Sequence, residues 1–224
     1  MRRRRLWAVA VVFACVATAC ATGGNQSDFP SRSFLLARTV YIKGCGTGWV
    51  LTDKFVVTNA HIGECVKQRH NGVGTLVFAT GDAYEAHVAG EASQRYVDLA
   101  ILELDARVNV GTLRFMADGA RLSPGTAVMS MGNPAPSTWL ATRYRVLSQP
   151  EHVPGGLDGV IVLEGHALEG DSGSPVVTED GKVVGVLFAK VGTVAYAVPI
   201  QPYLLDLVRE VRPTALFRAE HFMW

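Results

Sequence analysis

Short apolar runs that alternate with turn residues make up most of this sequence. Trp49 to Leu51 and Phe55 to Thr58 flank a three-residue connection, and Val183 to Phe188 follows an Asp-Gly turn. Apolar and polar residues alternate through Tyr84 to Val88, as they do along a half-exposed strand. The 23 glycines and the hydrophobic content of 49% suit many short strands joined by turns. The sequence therefore predicts a fold built mainly of antiparallel β-strands.

One loop carries the residue types that nucleophilic catalysis needs. The hexapeptide Gly170 to Pro175, GDSGSP, lies between two apolar strands and places Ser172 in a tight turn. Gly173 allows a sharp bend beside the serine, and the N–H groups of Gly170 and Ser172 are candidates for an oxyanion hole. An ordinary surface turn rich in Asp, Ser and Gly is the alternative. Ser174 stands where the GxSxG elbow of α/β-hydrolases requires glycine, so that class is disfavoured.

A serine nucleophile needs a base, and the base needs a group that orients it. His61 follows the apolar run that begins at Phe55, a setting that none of the other five histidines shares. Asp98 comes just before another apolar run, where its carboxylate can hold a neutral imidazole in the required tautomer. A structural histidine and an aspartate that caps a turn are the alternatives. The chain order His61, Asp98, Ser172 is that of chymotrypsin and differs from subtilisin and the α/β-hydrolases.

With these residues in this order, the sequence resembles the chymotrypsin-like serine proteases, and most of all their bacterial Do-like, high-temperature-requirement branch. The resemblance extends from about residue 40 to about residue 200. In chain order the matching segments are Gly46 to Val50, Thr58 to His61, Asp98 to Leu102, Pro124 to Pro134, and the GDSGSP loop. It implies an all-β fold of two six-stranded antiparallel Greek-key β-barrels with a C-terminal helix.

The resemblance also implies boundaries. The first barrel is expected at about 34–118 and the second at about 122–200, with the crossover near Asp118 to Arg121. Leucines spaced for one face in Tyr203 to Val211 predict the C-terminal helix, at about 201–211, packed on the second barrel. Residues 201–224 leave no room for the PDZ domain that often follows in this branch, so regulation is expected from loops, partners or oligomerisation.

The implied function is an exported serine endopeptidase that works through an acyl-enzyme intermediate, with a role in envelope protein quality control or processing. Ser172 is then the nucleophile, His61 the base and Asp98 the orienting carboxylate, with the Gly170 and Ser172 amides as the oxyanion hole. The alternatives are a catalytically silent protein of the same fold that binds a partner, and an esterase. Polypeptide substrates are implied, no cofactor or metal is expected, and the oligomeric state stays open.

Substrate preference follows from the same resemblance. The pocket for the residue before the scissile bond is expected to be lined by His166, Leu187, Phe188, Ala189, Thr193 and Val194. No aspartate occupies position 166, so a preference for Arg or Lys is disfavoured and a small or medium apolar residue is expected. Alternatively, His166 favours an acidic residue or closes the pocket floor. Asp171 departs from the branch, which usually has asparagine there, and no cleavage site supplies the N-terminal partner used by the digestive enzymes.

The N-terminus has the form of an export signal. Arg2 to Arg5 precede an apolar stretch from Leu6 to Ala19, which is shorter than the ~18 to 20 residues of a spanning helix. The segment that ends in Cys20 resembles a bacterial lipobox, which implies a signal peptide over 1–19, a lipidated cysteine and a membrane anchor in the cell envelope. Cleavage after Ala19 with secretion, or an uncleaved anchor, is the alternative. A linker over 20–33, a protease domain over 34–211 and a tail over 212–224 complete the expected organisation.

The net charge and the cysteines bear on the kinds of partner and site that this protein can have. Removing Arg2 to Arg5 from a formal net charge of +1 leaves −3, which argues against a nucleic-acid partner. Cys45 and Cys65 flank His61, and an exported protein reaches a compartment where disulfides persist. Their position resembles the histidine-loop disulfide of the chymotrypsin-like enzymes. A zinc site of Cys45, His61 and Cys65 is the alternative, although no fourth ligand accompanies them.

Overall fold

Two closed six-stranded antiparallel barrels contain the named strands of the described residues, as the sequence predicted. The computed structural model describes residues 29–92, 97–116, 122–151, 159–200 and 203–211. The first barrel contains β1 Thr39–Ile42, β2 Gly46–Val50, β3 Phe55–Thr58, β4 Val73–Phe78, β5 Ala83–Ala92 and β6 Leu99–Leu104. The second contains β7 Ala127–Ala135, β8 Thr138–Glu151, β9 Val160–Glu164, β10 Pro175–Val177, β11 Val183–Val191 and β12 Val194–Pro199. The helices are α1 Arg32–Leu36, α2 Ala60–Gln68 and α3 Tyr203–Val211, with a short 3-10 turn at His70–Gly72.

The strand order is the same in both barrels. Read around the ring in the same sense, the first barrel is β1-β2-β3-β6-β5-β4 and the second is β7-β8-β9-β12-β11-β10. Each barrel is a Greek key, closed by the pairing of β1 with β4 or of β7 with β10. The expected hairpin connection at Thr52 to Lys54 lies between β2 and β3. The turn before β11 is closed by a hydrogen bond from the N–H of Gly181 to the carbonyl of Thr178 at 2.9 Å. The predicted crossover at Asp118 to Arg121 lies outside the described residues.

The core is divided into three parts because the central strands are buried on both faces. Val56 packs inside the first barrel, whereas its neighbour Val57 points to a cluster between the barrels. This alternation is the normal consequence of strand geometry. The cluster between the barrels draws on Trp49, Val57, Leu99 and Ile101 from the first, Met131, Val186 and Val198 from the second, and Leu204, Leu207 and Val208 from α3. The two barrels therefore share one continuous apolar interface.

The C-terminal helix α3 packs on the first barrel, so the prediction that it packs on the second is wrong. Its main strand contacts are with β5 and β6. Leu204, Leu207 and Val208 are its buried residues, and a Cβ placed on Gly90 of β5 would lie 3.2 Å from a methyl carbon of Leu207. An apolar stripe identifies the buried face of a helix but not the surface that receives it. Here the small residue on β5 makes room for the helix.

Candidate active site

His61 and Asp98, the predicted base and its carboxylate, are brought together by the pairing of β3 with β6. Thr58 at the end of β3 pairs with Ala100, which lies two residues after Asp98. The helix α2 begins immediately beyond β3, so His61 is in its first turn. Nδ1 of His61 lies 2.6 Å from Oδ2 of Asp98, and the backbone N–H of His61 donates to Oδ1 at 2.9 Å. Adjacent strand ends thus place the imidazole and carboxylate side by side.

The contacts of Asp98 determine the tautomer of the imidazole. Both carboxylate oxygens accept hydrogen bonds from His61, one from the ring and one from the backbone. The backbone carbonyl of Asp98 also accepts from the side-chain amide of Asn59 at 2.9 Å. A neutral imidazole that donates from Nδ1 has its lone pair on Nε2, which can then take a proton. The side chain of His61 is 46% exposed, so Nε2 belongs to an accessible part of the surface.

The serine loop begins with a type II turn from Leu168 to Asp171. The N–H of Asp171 donates to the carbonyl of Leu168 at 3.2 Å, and Gly170, at the third position, has φ +89°. Glu169 has no positive φ, so only the third residue is left-handed, as a type II turn requires. Within the described residues, the N–H groups of Gly170 and Ser172 have no hydrogen-bond acceptor. The two amides assigned to an oxyanion hole are therefore unused.

The hydroxyl of Ser172 is not hydrogen-bonded to His61. Its hydrogen bond goes to the carbonyl of Phe188 on β11 at 3.4 Å, beyond the usual O–H···O range. Hydrogen bonds between catalytic groups often tighten only when substrate is bound. The hydroxyl of Ser172 thus makes one weak contact, and that contact is with β11 rather than with the imidazole.

Gly173 lies at the point where the serine loop contacts the first barrel. Its φ is +87°, and a Cβ placed on it would overlap the carbonyl oxygen of Thr47. The N–H of Gly173 donates to the carbonyl of Leu187 at 2.8 Å. The residue is therefore held between β2 of one barrel and β11 of the other, and a side chain here has no space.

Thr47 on β2 makes a set of contacts with the serine loop that the sequence did not reveal. Its backbone N–H donates to the carbonyl of Ser172 at 2.8 Å, and its hydroxyl donates to the carbonyl of Gly170 at 2.8 Å. The hydroxyl also accepts from the N–H of Asn133 at 3.0 Å, while the Thr47 carbonyl accepts from the Thr58 hydroxyl at 2.7 Å. One signal was available: glycines on both sides of Thr47 within a strand indicate close approach of another backbone.

Asp171 finds its partner within its own turn rather than at a new N-terminus. Oδ2 accepts the N–H of Leu168 at 2.8 Å, while Oδ1 has no hydrogen-bond partner among the described residues. The side chain is buried, and a Cβ placed on Gly132 would overlap Oδ1 and lie 2.7 Å from the hydroxyl of Ser174. Burial raises the pKa of Asp171, while the hydrogen bond from Leu168 and the charge of Lys190 lower it by less. The carboxylate therefore braces the turn at a cost in desolvation.

The residues expected to line the specificity pocket lie around the β11–β12 hairpin and the segment before the serine loop. His166, Ala189 and Thr193 are exposed, and Phe188 and Val194 are half-buried. The N–H of Gly165, just before His166, donates to the carbonyl of Thr193 at 2.9 Å, which joins the two segments. Leu187 is different, because its side chain packs in the core of the second barrel.

Cys45 and Cys65 form a disulfide with Cα atoms 5.9 Å apart. It links the residue before β2 to the helix that carries His61. Both thiols that the zinc alternative requires are therefore used in the bond. Among the described residues, no helix is long and apolar enough to cross a membrane. The signal segment 1–19, Cys20 and the tail 212–224 lie outside the described residues.

Comparison with known proteins agrees with this architecture. The model of the trypsin-like peptidase domain matches residues 46–186. A probable periplasmic DegP-like serine endoprotease of Halomonas elongata is 25% identical over 183 residues, which cover 76% of this chain and 35% of that protein. The serine protease Rv3671c of Mycobacterium tuberculosis is 31% identical over 152 residues, covering 64% of this chain and 35% of that protein. The chain thus spans about a third of the length of these relatives.

Solved structures show the same fold. The inactive form of the Rv3671c protease superimposes with a TM-score of 0.62 at 22% identity, covering 80% of this chain and 91% of that one. The HtrA-type protease AlgW with a decapeptide gives a TM-score of 0.63 at 18% identity, covering 76% and 52%. The family model covers more than half of the sequence, and the two barrels agree with the folds of these solved structures. This chain belongs to the trypsin-like peptidase domain family, among the relatives of the DegP and HtrA serine proteases.

Proposed function

We propose that this chain is an exported serine endopeptidase whose catalytic residues are Ser172, His61 and Asp98. The observation that carries the proposal is the pairing of His61 with both carboxylate oxygens of Asp98, at 2.6 Å and 2.9 Å. This pairing leaves Nε2 as the basic atom of an exposed imidazole. The serine loop supplies the other half, with two unused backbone N–H groups beside the candidate nucleophile.

The reaction starts when Oγ of Ser172 bonds to the carbonyl carbon of a peptide and its proton passes to Nε2 of His61. The π electrons of the carbonyl move to oxygen, where the N–H groups of Gly170 and Ser172 stabilise the negative charge. Each such donor is worth about 2.7 to 4 kcal/mol in the barrier. Asp98 stabilises the imidazolium formed in this step.

His61 then gives the proton to the departing nitrogen, and the C–N bond breaks to leave an acyl-enzyme. Water loses a proton to Nε2 and attacks the ester carbon. The bond between this carbon and Oγ then breaks, and Nε2 returns the proton to Oγ, which releases the carboxylic acid and restores Ser172. No step requires a redox change or an added cofactor. The balance is hydrolysis of one peptide bond per cycle.

Polypeptides with a small or medium apolar residue before the scissile bond are the proposed substrates. His166, Phe188, Ala189, Thr193 and Val194 would line that side of the cleft, with Leu187 supporting it from the barrel core. Hydrolysis of esters uses the same chemistry, so esterase activity is the second candidate. A silent protein that binds a partner is the third, favoured only by the absent hydrogen bond between Ser172 and His61.

Residues 34–211 are the proposed protease domain, after a signal segment over 1–19 and a linker over 20–33, with a tail over 212–224. Cys20 is the proposed lipidation site and anchor. Relatives that carry the word periplasmic in their names support export and a role in the cell envelope.

The test is labelling of the purified full chain with a fluorophosphonate probe. We expect one label per active chain, its loss in Ser172→Ala, and its retention in the matched control Ser174→Ala, whose hydroxyl is buried in the same loop. Cleavage of a peptide library against short esters then separates protease from esterase. Wild-type protein that takes no label at any pH from 5 to 9 would contradict the proposal.

A further inference from the structure

The hydroxyl of Thr47 is completely buried, and both of its hydrogen bonds cross from the first barrel to the second. It donates to the carbonyl of Gly170 at 2.8 Å and accepts the N–H of Asn133 on β7 at 3.0 Å. A hydroxyl has one proton to donate, so the donor of Thr47 is committed to Gly170. Together with its backbone bond to Ser172, Thr47 holds the carbonyl groups of both residues whose N–H groups remain unused.

Gly170 needs an external restraint because its own backbone imposes none. Glycine adopts left-handed and right-handed conformations at similar cost, and the direction of its N–H changes with the orientation of the peptide that carries it. The turn bond between Asp171 and Leu168 and the bond from the Thr47 hydroxyl both act on the peptide group that follows the Cα of Gly170, the first through its N–H and the second through its carbonyl. Together they hold the Cα from which the Gly170 N–H projects.

Thr47 is itself fixed from the side of the base. Its carbonyl accepts the buried hydroxyl of Thr58, three residues before His61. Thr58 ends the strand that leads into the histidine helix. A continuous set of hydrogen bonds therefore runs from the strand before the base, through Thr47, to the turn that carries the Gly170 N–H.

We propose that Thr47 is a positioning residue of the oxyanion hole, whose hydroxyl fixes the peptide group after Gly170 and so holds the Cα of this glycine where its N–H can reach the reacting carbonyl. The inference rests on the proposed function, since it concerns the same site. Thr47 touches neither substrate nor the reacting atoms. Its effect therefore falls on transition-state stabilisation and leaves substrate binding unchanged.

The test compares Thr47→Val, which keeps the shape and removes the hydroxyl, with Thr47→Ser, which keeps the hydroxyl. Thr39→Val is the matched control, because Thr39 is another buried threonine, whose hydroxyl donates to the Leu35 carbonyl at 2.9 Å away from the serine loop. All three are measured as full chains on a cleaved peptide, with kcat expressed per fluorophosphonate-titrated site. A peptide boronic acid reports on binding of a transition-state analogue.

We expect Thr47→Val to lower kcat about 10- to 100-fold, less than the 10²- to 10³-fold loss of a deleted donor. KM should change less than about twofold, boronate affinity should fall with kcat, and Thr47→Ser should recover most of both. A Thr47→Val enzyme with the kcat and boronate affinity of Thr39→Val overturns the inference. If Thr47→Val does not fold, Thr47→Ala against Thr47→Ser isolates the hydroxyl in the same way. Wild type without label, or an active Ser172→Ala, would instead refute the proposed function.

Discussion

The two halves of the site are built in different ways. The base half, His61 with Asp98, lies where a strand passes into a helix and where a neighbouring strand begins, and its hydrogen bonds stay within the first barrel. The serine half, residues 168 to 173, depends on two left-handed glycines, a buried carboxylate and contacts from the opposite barrel. The base half is therefore supported by regular secondary structure. The serine half depends on tertiary contacts, so substitutions should affect the two halves differently.

The largest expected effect tests the base half through Asp98→Asn. The amide cannot accept at both oxygen positions, so it favours the wrong imidazole tautomer. We expect kcat to fall about 10⁴-fold, the size of this change in a Ser-His-Asp triad. The free energy of unfolding should change by less than about 1 kcal/mol, as for other partly exposed polar sites.

Asp105→Asn is the matched control, because Asp105 is exposed just beyond the other end of β6. Peptide kinetics and urea unfolding measure both variants. If Asp98→Asn instead unfolds the domain while Asp105→Asn does not, the base half depends on this hydrogen-bonded pair for its fold, and the comparison between the halves fails.

Gly173→Ala tests the serine half. A methyl group there overlaps the Thr47 carbonyl in a backbone conformation that alanine disfavours. Overpacking and the left-handed φ together should cost about 4 kcal/mol of unfolding free energy and remove fluorophosphonate labelling. Gly192→Ala shares the positive φ but has open space around it, so it should lose only about 1 to 2 kcal/mol. Equal losses in the two variants would show that the contact with Thr47 is unimportant.

Removal of the disulfide between Cys45 and Cys65 tests the base half a second time. Cys45 and Cys65 are 20 residues apart, and a closed loop of this size is worth about 3 kcal/mol. Cys45→Ala with Cys65→Ala should therefore lower the unfolding free energy by about that amount. Because Asp98 still holds the imidazole, kcat per labelled site should stay within about threefold of wild type. A much lower kcat per site would place the disulfide among the supports of the base.

The smallest effect concerns Asp171. Its pKa is raised by burial, so the folded chain binds this proton more tightly than the unfolded chain does. As the pH rises above the unfolded value, the unfolded chain ionises first, and this carboxylate lowers stability. Asp171→Asn can keep the hydrogen bond from Leu168 without the buried charge.

We therefore expect Asp171→Asn to stabilise the protein more at pH 8 than at pH 4. Thermal unfolding at both pH values measures it. Asp180→Asn, in an exposed turn, is the control for general loss of a carboxylate. Hydrogen bonds from Thr178 and Lys182 lower the pKa of Asp180, so this carboxylate stabilises the folded chain at high pH. Asp180→Asn should therefore destabilise the protein at pH 8, the opposite of Asp171→Asn. A constant gain for Asp171→Asn at every pH would show that its charge is not the cause.

The parts of the site that lie on regular strands could be predicted from the sequence. The strands around His61 and Asp98 follow from apolar runs, and two barrels follow from a resemblance whose segments lie along those strands. The contacts of Thr47 and Asp171 did not follow, because both pair with backbone groups that residue type does not identify. The surface on which α3 packs was predicted wrongly for a similar reason. Periodicity indicates which face of the helix is buried, but Gly90, which makes room for that face, lies more than 100 residues earlier in the chain.

The close contact between β2 and the serine loop also limits how this protein moves. Thr47 bonds to Ser172 through its backbone, and a Cβ placed on Gly46 would lie 2.9 Å from the Ser172 carbonyl oxygen. Backbone meets backbone there, so sliding of one barrel along the other, even by an ångström, breaks hydrogen bonds before it opens any cleft. Hinge or shear motion of one barrel against the other would therefore cost these hydrogen bonds. Rearrangement around Ser172 is expected instead in the loops, where it leaves the contact between the barrels intact.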